Sequence, residues 1–327
     1  MPTKQTTGMY NEEQKREFID EVLSGDARRV RACELFFFAL APYEKAWGGD
    51  VATRSADEIT SATTKLLGLR TQSRYGKLSI LKKYIEWCVV KGYATDADKV
   101  RDLDRVTLTK IRNETISSPG HLQRYLDTVF RKEDDHTVDN IFRSFFWLAF
   151  GGLDESAVME IKCSDFDFDS MSFSYNGESF EIYREGVKAL KYCVTATQFQ
   201  YIHDSPEYRT YLDRVPGDTM MRGIRLGESE KALRVSVSKK TRDAFGKGLT
   251  AMQINYYRAW LSGIFYRKYV LETAGVEIDF RDTAARYMRD KEYFLHGKKI
   301  DPHRKMLRVA NDYLKDYERW KAAHYIF

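Results

Sequence analysis

The stretch from Leu148 to Asp169, LAFGGLDESAVMEIKCSDFDFD, constrains the fold of this chain more than any other. An apolar run, Phe145 to Phe150, ends at Gly151-Gly152, a pair that stops a helix. Leu153 follows, and Val158, Met159 and Ile161 sit at the spacing of a short amphipathic helix. Ser164-Asp165 then leads into a β-rich hairpin. The fold class expected is mainly α, with a small antiparallel β-sheet.

The rest of the chain extends this pattern on both sides. Asn11 to Ser24 reads as an amphipathic helix, and Ala27 to Trp47 as a second one stopped by Gly48-Gly49. Ser55 and Glu58 have the Ser-x-x-Glu spacing of a capping box, which opens a third helix ending at Gly68. In Arg70 to Lys91, Leu78, Leu81, Ile85 and Cys88 recur at steps of three and four, and Gly92 terminates the run. Ile111 to Gly120 reads as a linker, which divides the chain into a helical unit over 1–113 and a second unit over 114–327. Ser118-Pro119 starts the next helix, with proline in the first turn where its missing N–H costs nothing. Strands are expected at Ser172 to Tyr175 and Phe180 to Tyr183 around the Asn176-Gly177 turn, and at Leu190 to Thr195. From Thr197 onward the pattern predicts helix to the end, apart from irregular stretches near Val215-Pro216-Gly217 and Gly297 to Pro302.

At 327 residues and 43 % hydrophobic content, both units can bury a core. The four cysteines, Cys33, Cys88, Cys163 and Cys193, form no CxxC pair and read as reduced thiols in a cytoplasmic protein. His296 and His303 flank a Gly-Lys-Lys turn without metal-ligand spacing, and no Walker loop, HExxH or GxSxG occurs, so neither metal nor cofactor is expected. The longest apolar run, Leu35 to Ala41, is far short of the roughly 20 residues a bilayer requires, so no membrane partner is expected. Net charge is only +5, but it is polarised. Glu133 to Tyr183 holds twelve acids against two bases, and Arg184 to Lys268 sixteen bases against eight acids. Such a chain can present one basic surface to nucleic acid despite its modest total.

The order of elements around Leu148 to Asp169 resembles the first box of the tyrosine recombinases, the phage integrases. That box reads helix, Gly-Leu-Arg, a helix with Glu in its first turn, Trp-Ser-Asp and a strand. Here Gly152-Leu153 and Ser164-Asp165 match, while Asp154 stands at the arginine position and Ala157 at the glutamate. Upstream, RTQSRYGKLSILKKYIEWCVVKGY resembles the end of the integrase core-binding domain. The resemblance implies two domains, a helical core-binding-like one and an integrase catalytic-like one, that clamp a DNA duplex.

What it implies for catalysis is mostly loss. Two arginines of an active recombinase hold the scissile phosphate, a lysine and a histidine handle protons, and a tyrosine attacks phosphorus. Asp154 repels a phosphate instead: two like charges about 5 Å apart at an effective dielectric of about 20 cost roughly 3 kcal/mol. The second box matches Leu249 to Leu261, with Met252 and Tyr256 at the two histidines and Asn255 at the arginine. Arg258, one turn on, is a candidate for a displaced arginine, for an ion pair or for a backbone-phosphate contact. Arg184, Lys188 and Lys191 lie near the position of the family's β-hairpin lysine. Thr273 to Phe280 is similar to the family's Ala-Gly-Val-Asp-Ile turn, but Arg286-Tyr287-Met288-Arg289 replaces the Leu-Gly-His that should follow. The nucleophile stays unassigned among Tyr287, Tyr293, Tyr313, Tyr317 and Tyr325.

The scaffold for DNA remains. Ser236 to Gly248 lies where the family has a major-groove helix, with Lys239, Lys240, Arg242 and Lys247 as cations and Ser238 and Thr241 as short donors. Lysines serve phosphates, and an arginine such as Arg242 is suited to a guanine edge. In the first unit Arg70, Gln72, Ser73, Arg74 and Lys77 cluster at a helix N-terminus, which favours phosphate. Length, layout and degenerate site together resemble the phage lytic-cycle repressors of the MrpR type. The resemblance implies a sequence-specific repressor that maintains lysogeny, bound to double-stranded DNA on the bacterial nucleoid. A homo-oligomer or a phage or host regulatory protein is a further partner, and Val309 to Phe327 is a candidate assembly segment. Two other readings stay open: an active recombinase with displaced catalytic residues, and a module that binds another recombinase or phage protein and no DNA.

Overall fold

The computed structural model describes residues 8–23, 26–59, 62, 71–96, 99–130, 139–202, 209–222, 230–250, 252–288, 294–295, 298–299 and 301–326. It is mainly helical with a small three-stranded antiparallel sheet, the class expected from the sequence. The chain separates into two compact units, Met1–Thr107 and Leu108–Phe327.

In the first unit, α1 (Glu12–Val22), α2 (Ala27–Trp47) and α3 (Thr71–Val90) supply most of the core. Gly48 takes φ +65, and the N–H groups of Gly48 and Gly49 close back onto the carbonyls of Lys45 and Glu44, so α2 ends where the glycine pair predicted. Ser55 and Glu58 form the expected reciprocal cap at the start of a helical segment. Phe18, Phe37, Tyr84 and Trp87 meet at ring separations of 5.0 to 6.2 Å. Beside them lies a buried ionic cluster. Lys15 Nζ is 2.5 Å from Glu44 and 3.5 Å from Asp50, and the Tyr84 hydroxyl donates to Asp50 at 2.9 Å. Burial pushes the Glu44 carboxyl up, while Lys15 draws it back.

The second unit is built around α6 (Asp139–Gly151), whose residues are buried along nearly its whole length. Helix α4 (Lys99–Glu114) ends in this unit, and α5 (Pro119–Val129) precedes α6. The Ser118 hydroxyl accepts the His121 N–H, capping α5 as its sequence predicts. Against α6 runs α9 (Tyr256–Thr273). Gly263 of α9 sits so close that a Cβ there would collide with the Phe150 carbonyl. The sheet follows α6: β1 (Phe166–Asp167), β2 (Ser172–Tyr175) and β3 (Glu178–Glu181), in register Phe166↔Phe173 and Phe173↔Phe180. Asn176 and Gly177 both have positive φ, 50° and 78°, the conformation of the two-residue hairpin turn.

Four expectations require correction. Residues 111–120 are not a linker: Ile116 is fully buried, its N–H donates to Ser262 and its carbonyl accepts from Trp320 Nε1. Met159 and Ile161 do not belong to a helix; a single 3-10 turn, Glu155–Ala157, leads through a tight bend. Leu190 to Thr195 is helical, within α7 (Val187–Thr195). Leu190, Tyr192 and Val194 alternate like a strand, but Ala189, Leu190 and Cys193 form a helical stripe that buries. Finally, Thr197 onward is not all helix, because β4 (Gln198–Ile202) pairs with β5 (Arg209–Asp213). Buried Arg214 anchors that hairpin by donating to the carbonyls of Cys193, Ala196 and Met220. The remaining elements are α8 (Glu230–Gly246), α10 (Arg281–Met288), the β6–β7 pair (Phe294–Leu295, Lys298–Lys299), α11 (Pro302–Lys321) and a terminal π-turn, Ala322–Ile326.

Candidate functional site

The turn after α6 is held by its neighbours. Gly152 has φ +104, and Leu153 N–H bonds back to Leu148, so the chain reverses there. The carbonyls freed at the helix end are satisfied from α9. Arg267 donates to Phe150 at 2.8 Å, Trp260 Nε1 to Gly152 at 3.2 Å and the Tyr256 hydroxyl to Leu153 at 2.8 Å. Three polar side chains of α9 therefore serve the backbone of this turn. Tyr256, at the second histidine position of the resemblance, is buried with its ring 4.5 Å from Phe145.

Asn255, at the arginine position, is the N-cap of α9, its amide oxygen accepting the Arg258 N–H at 2.9 Å. Met252 packs half-buried against the core. Arg258 reaches Glu114 at 3.2 Å and donates to the Gln253 carbonyl at 3.1 Å. It is a half-buried tie within the unit, the ion pair that was one of the sequence's alternatives for this residue. Asp154 initiates the Glu155–Ala157 turn and is half-buried. Nearby, the Tyr175 phenol donates to Glu160, and that bond, burial and the charge of Asp154 push the phenol up. Arg286 pairs with Glu178 at 2.6 Å and lies over the Phe180 ring.

The β-hairpin carries no replacement cation. Residues 166–183 contain neither lysine nor arginine, and the turn is Asn176-Gly177. Arg184 lies on a 3-10 turn, Arg184–Gly186, and Lys188 and Lys191 on α7. All three therefore lie on helical turns that follow β3, not on the hairpin turn itself. Among the candidate nucleophiles, Tyr313 is buried against Phe280. Tyr317 donates to Glu272 and Tyr325 to the Ser117 carbonyl, both at 2.5 Å. Burial pushes the Tyr325 phenol up to about 12. Tyr287 is partly exposed with its ring 6.2 Å from that of Tyr313, and Tyr293 lies outside the described residues.

Helix α8 sorts its side chains between two faces. Thr241 and Ala244 are buried, and Lys240 turns inward, pairing with Asp139 and lying 5.0 Å from the centre of the Phe142 ring. Lys240 and Thr241 are thus corrected as groove-facing residues. Ser238, Lys239, Arg242 and Lys247 are exposed, together with Asp243, Phe245 and Leu249. The last two were missed in the sequence; their offsets of three and seven from Arg242 were the available signal. In the first unit, Arg70 lies outside the described residues. Gln72, Ser73 and Arg74 occupy the first turn of α3, and their side chains also fall outside the described part of the chain. Half-buried Lys77 lines a cleft of about 610 Å³ with Leu23, Leu35, Phe36 and Ile80.

Among the described residues no cluster of three or more His, Cys, Asp or Glu is placed to hold a metal ion. Among the same residues no helix is long and apolar enough to cross a membrane.

Residues 9–91 match the family model described as "MrpR, N-terminal core-binding domain". No curated protein matches the chain. Two solved structures are similar at low identity. The XerA recombinase crystal structure is 11 % identical, with 80 % of this chain and 85 % of that one covered at a TM-score of 0.33. An integrase from mycobacterium phage Brujita is 14 % identical, with 95 % and 93 % covered at a TM-score of 0.28. At these scores no residue is carried across from either.

Proposed function

We propose that this chain is a sequence-specific repressor of a prophage that binds double-stranded DNA and does not cut it. The observation that carries this reading is the engagement of the residues at the expected phosphate positions. Asp154 is a half-buried carboxylate at the start of a 3-10 turn, Met252 packs on the core, Asn255 caps α9, and the Tyr256 hydroxyl serves Leu153. A pentacoordinate phosphorus requires donors aimed at its oxygens; Asp154 and Met252 supply none, and the Tyr256 hydroxyl is turned to the Leu153 carbonyl. The MrpR-type core-binding domain and the exposed cations of α8 support a role in DNA binding. Occupying promoter-proximal DNA suffices for repression, so affinity and specificity are retained without a covalent step.

The test is to incubate the full-length chain with fragments of the genome that encodes it and to run native and denaturing gels in parallel. A shift on the native gel that vanishes in denaturant is the expected result. A band surviving denaturant means a covalent tyrosine–DNA bond and overturns the non-cleaving reading. No shift at low salt overturns DNA binding altogether and favours a module that binds another phage protein.

A further inference from the structure

The outer face of α8 combines cations with two exposed apolar side chains. Ser238, Arg242 and Phe245 recur at i, i+4 and i+7, so they lie along one exposed side of the helix, bordering the buried stripe of Thr241 and Ala244. Phe245 is 46 % exposed and Leu249 59 %. The chain beyond the helix is held in place: Gly248 has φ +70, its N–H bonds to Phe245 and the Leu249 N–H to Ala244. Leu249 is therefore a fixed part of this end of α8. Among the described residues, a Cβ on Gly246 or Gly248 would meet nothing within 4 Å.

Solitary exposed apolar groups need no explanation in general. These two differ by lying on a surface that also carries Lys239, Arg242 and Lys247, against one carboxylate, Asp243. Such a surface repels a second copy of itself. It matches an anionic partner that offers an apolar feature between rows of negative charge. The major groove of a duplex is such a partner: phosphates border it, and the thymine 5-methyl is the apolar group on its base edges. We infer that Phe245 and Leu249 read thymine methyl groups while Arg242 and the two lysines bind the adjoining guanine edge and phosphates. This rests on the proposed DNA-binding function and assigns its sequence preference to named apolar residues.

The test uses a duplex selected from a random pool by the full-length wild-type chain, and the same duplex with every thymine replaced by uracil. Wild type is expected to bind the uracil duplex about fourfold more weakly for each methyl group that the two side chains cover. The Phe245→Ala/Leu249→Ala double variant, with thermal unfolding as the control for its fold, is expected to bind the thymine duplex more weakly and to bind both duplexes equally. Equal binding of both duplexes by wild type overturns the inference and leaves DNA binding intact. So does a thymine preference that persists in the double variant. If the double variant instead loses self-association in sedimentation and keeps its thymine preference, the face joins copies of the chain. Failure to select any duplex overturns the DNA-binding reading itself.

Discussion

The first turn of α9 and the outer face of α8 both carry hydroxyl and guanidinium groups close to a helix end. The two direct these groups oppositely. On α9, Asn255, Tyr256 and Arg258 turn onto the helix N-terminus, the Leu153 carbonyl and Glu114. On α8, Lys239 and Arg242 point outward, and Lys240, one residue along, turns in to Asp139. A polar group that already completes a buried hydrogen-bond set is expensive to withdraw for a ligand, because the partner left behind loses about 1–3 kcal/mol. An exposed group carries no such cost. The comparison locates ligand capacity on α8 and structural duty on α9.

The largest effect expected is on the structural side. Gly263→Val forces a side chain into the Phe150 carbonyl and should separate α9 from α6, lowering stability by about 3 kcal/mol or more. Denaturant unfolding measures this, and a decrease below about 1 kcal/mol would mean that the two helices do not pack closely at Gly263. The next effect divides α8 itself. Lys240→Ala should lower stability by about 1 kcal/mol, because half-exposed Lys240 is partly screened, and leave DNA affinity nearly unchanged. Lys239→Ala should leave stability within about 0.5 kcal/mol and reduce the salt dependence of binding by about one unit of slope. Identical behaviour of the two variants would erase the distinction between the faces.

The smallest effect is expected from Asp154→Arg. It restores the charge that the recombinase resemblance calls for, yet Met252, Asn255 and Tyr256 remain. No covalent adduct should form on a denaturing gel. An adduct would show that the site is one substitution from activity and that α9 is not committed to structure.

How much was legible in the sequence depends on the range of the interaction that decides each feature. Asn176-Gly177 announced a hairpin because two positive φ values follow from the residues themselves. Ser118-Pro119 and Ser55 with Glu58 announced helix starts for the same reason, since each cap closes within four residues. The exposed cations of α8 were legible as a basic cluster, but not which of Lys239 and Lys240 faces out. The α7 helix was misread as a strand because Leu190, Tyr192 and Val194 satisfy period two while Ala189, Leu190 and Cys193 satisfy period 3.6. Burial of Cys193, which accepts a hydrogen bond from Ser144 on α6, goes with the helical choice.

By itself, the sequence determined the helical character of both units, the position of the hairpin turn, the glycine stop after α6 and the acid, Asp154, that follows it. Each depends on the residue's own backbone preference, its side-chain charge or partners a few positions away. Only the tertiary structure decided that 111–120 joins the second unit, that β4 pairs with β5, and that Tyr256, Trp260 and Arg267 serve carbonyls about a hundred positions away in the chain. Those outcomes rest on buried polar groups finding partners, and in a folded chain the partner is chosen by proximity in space.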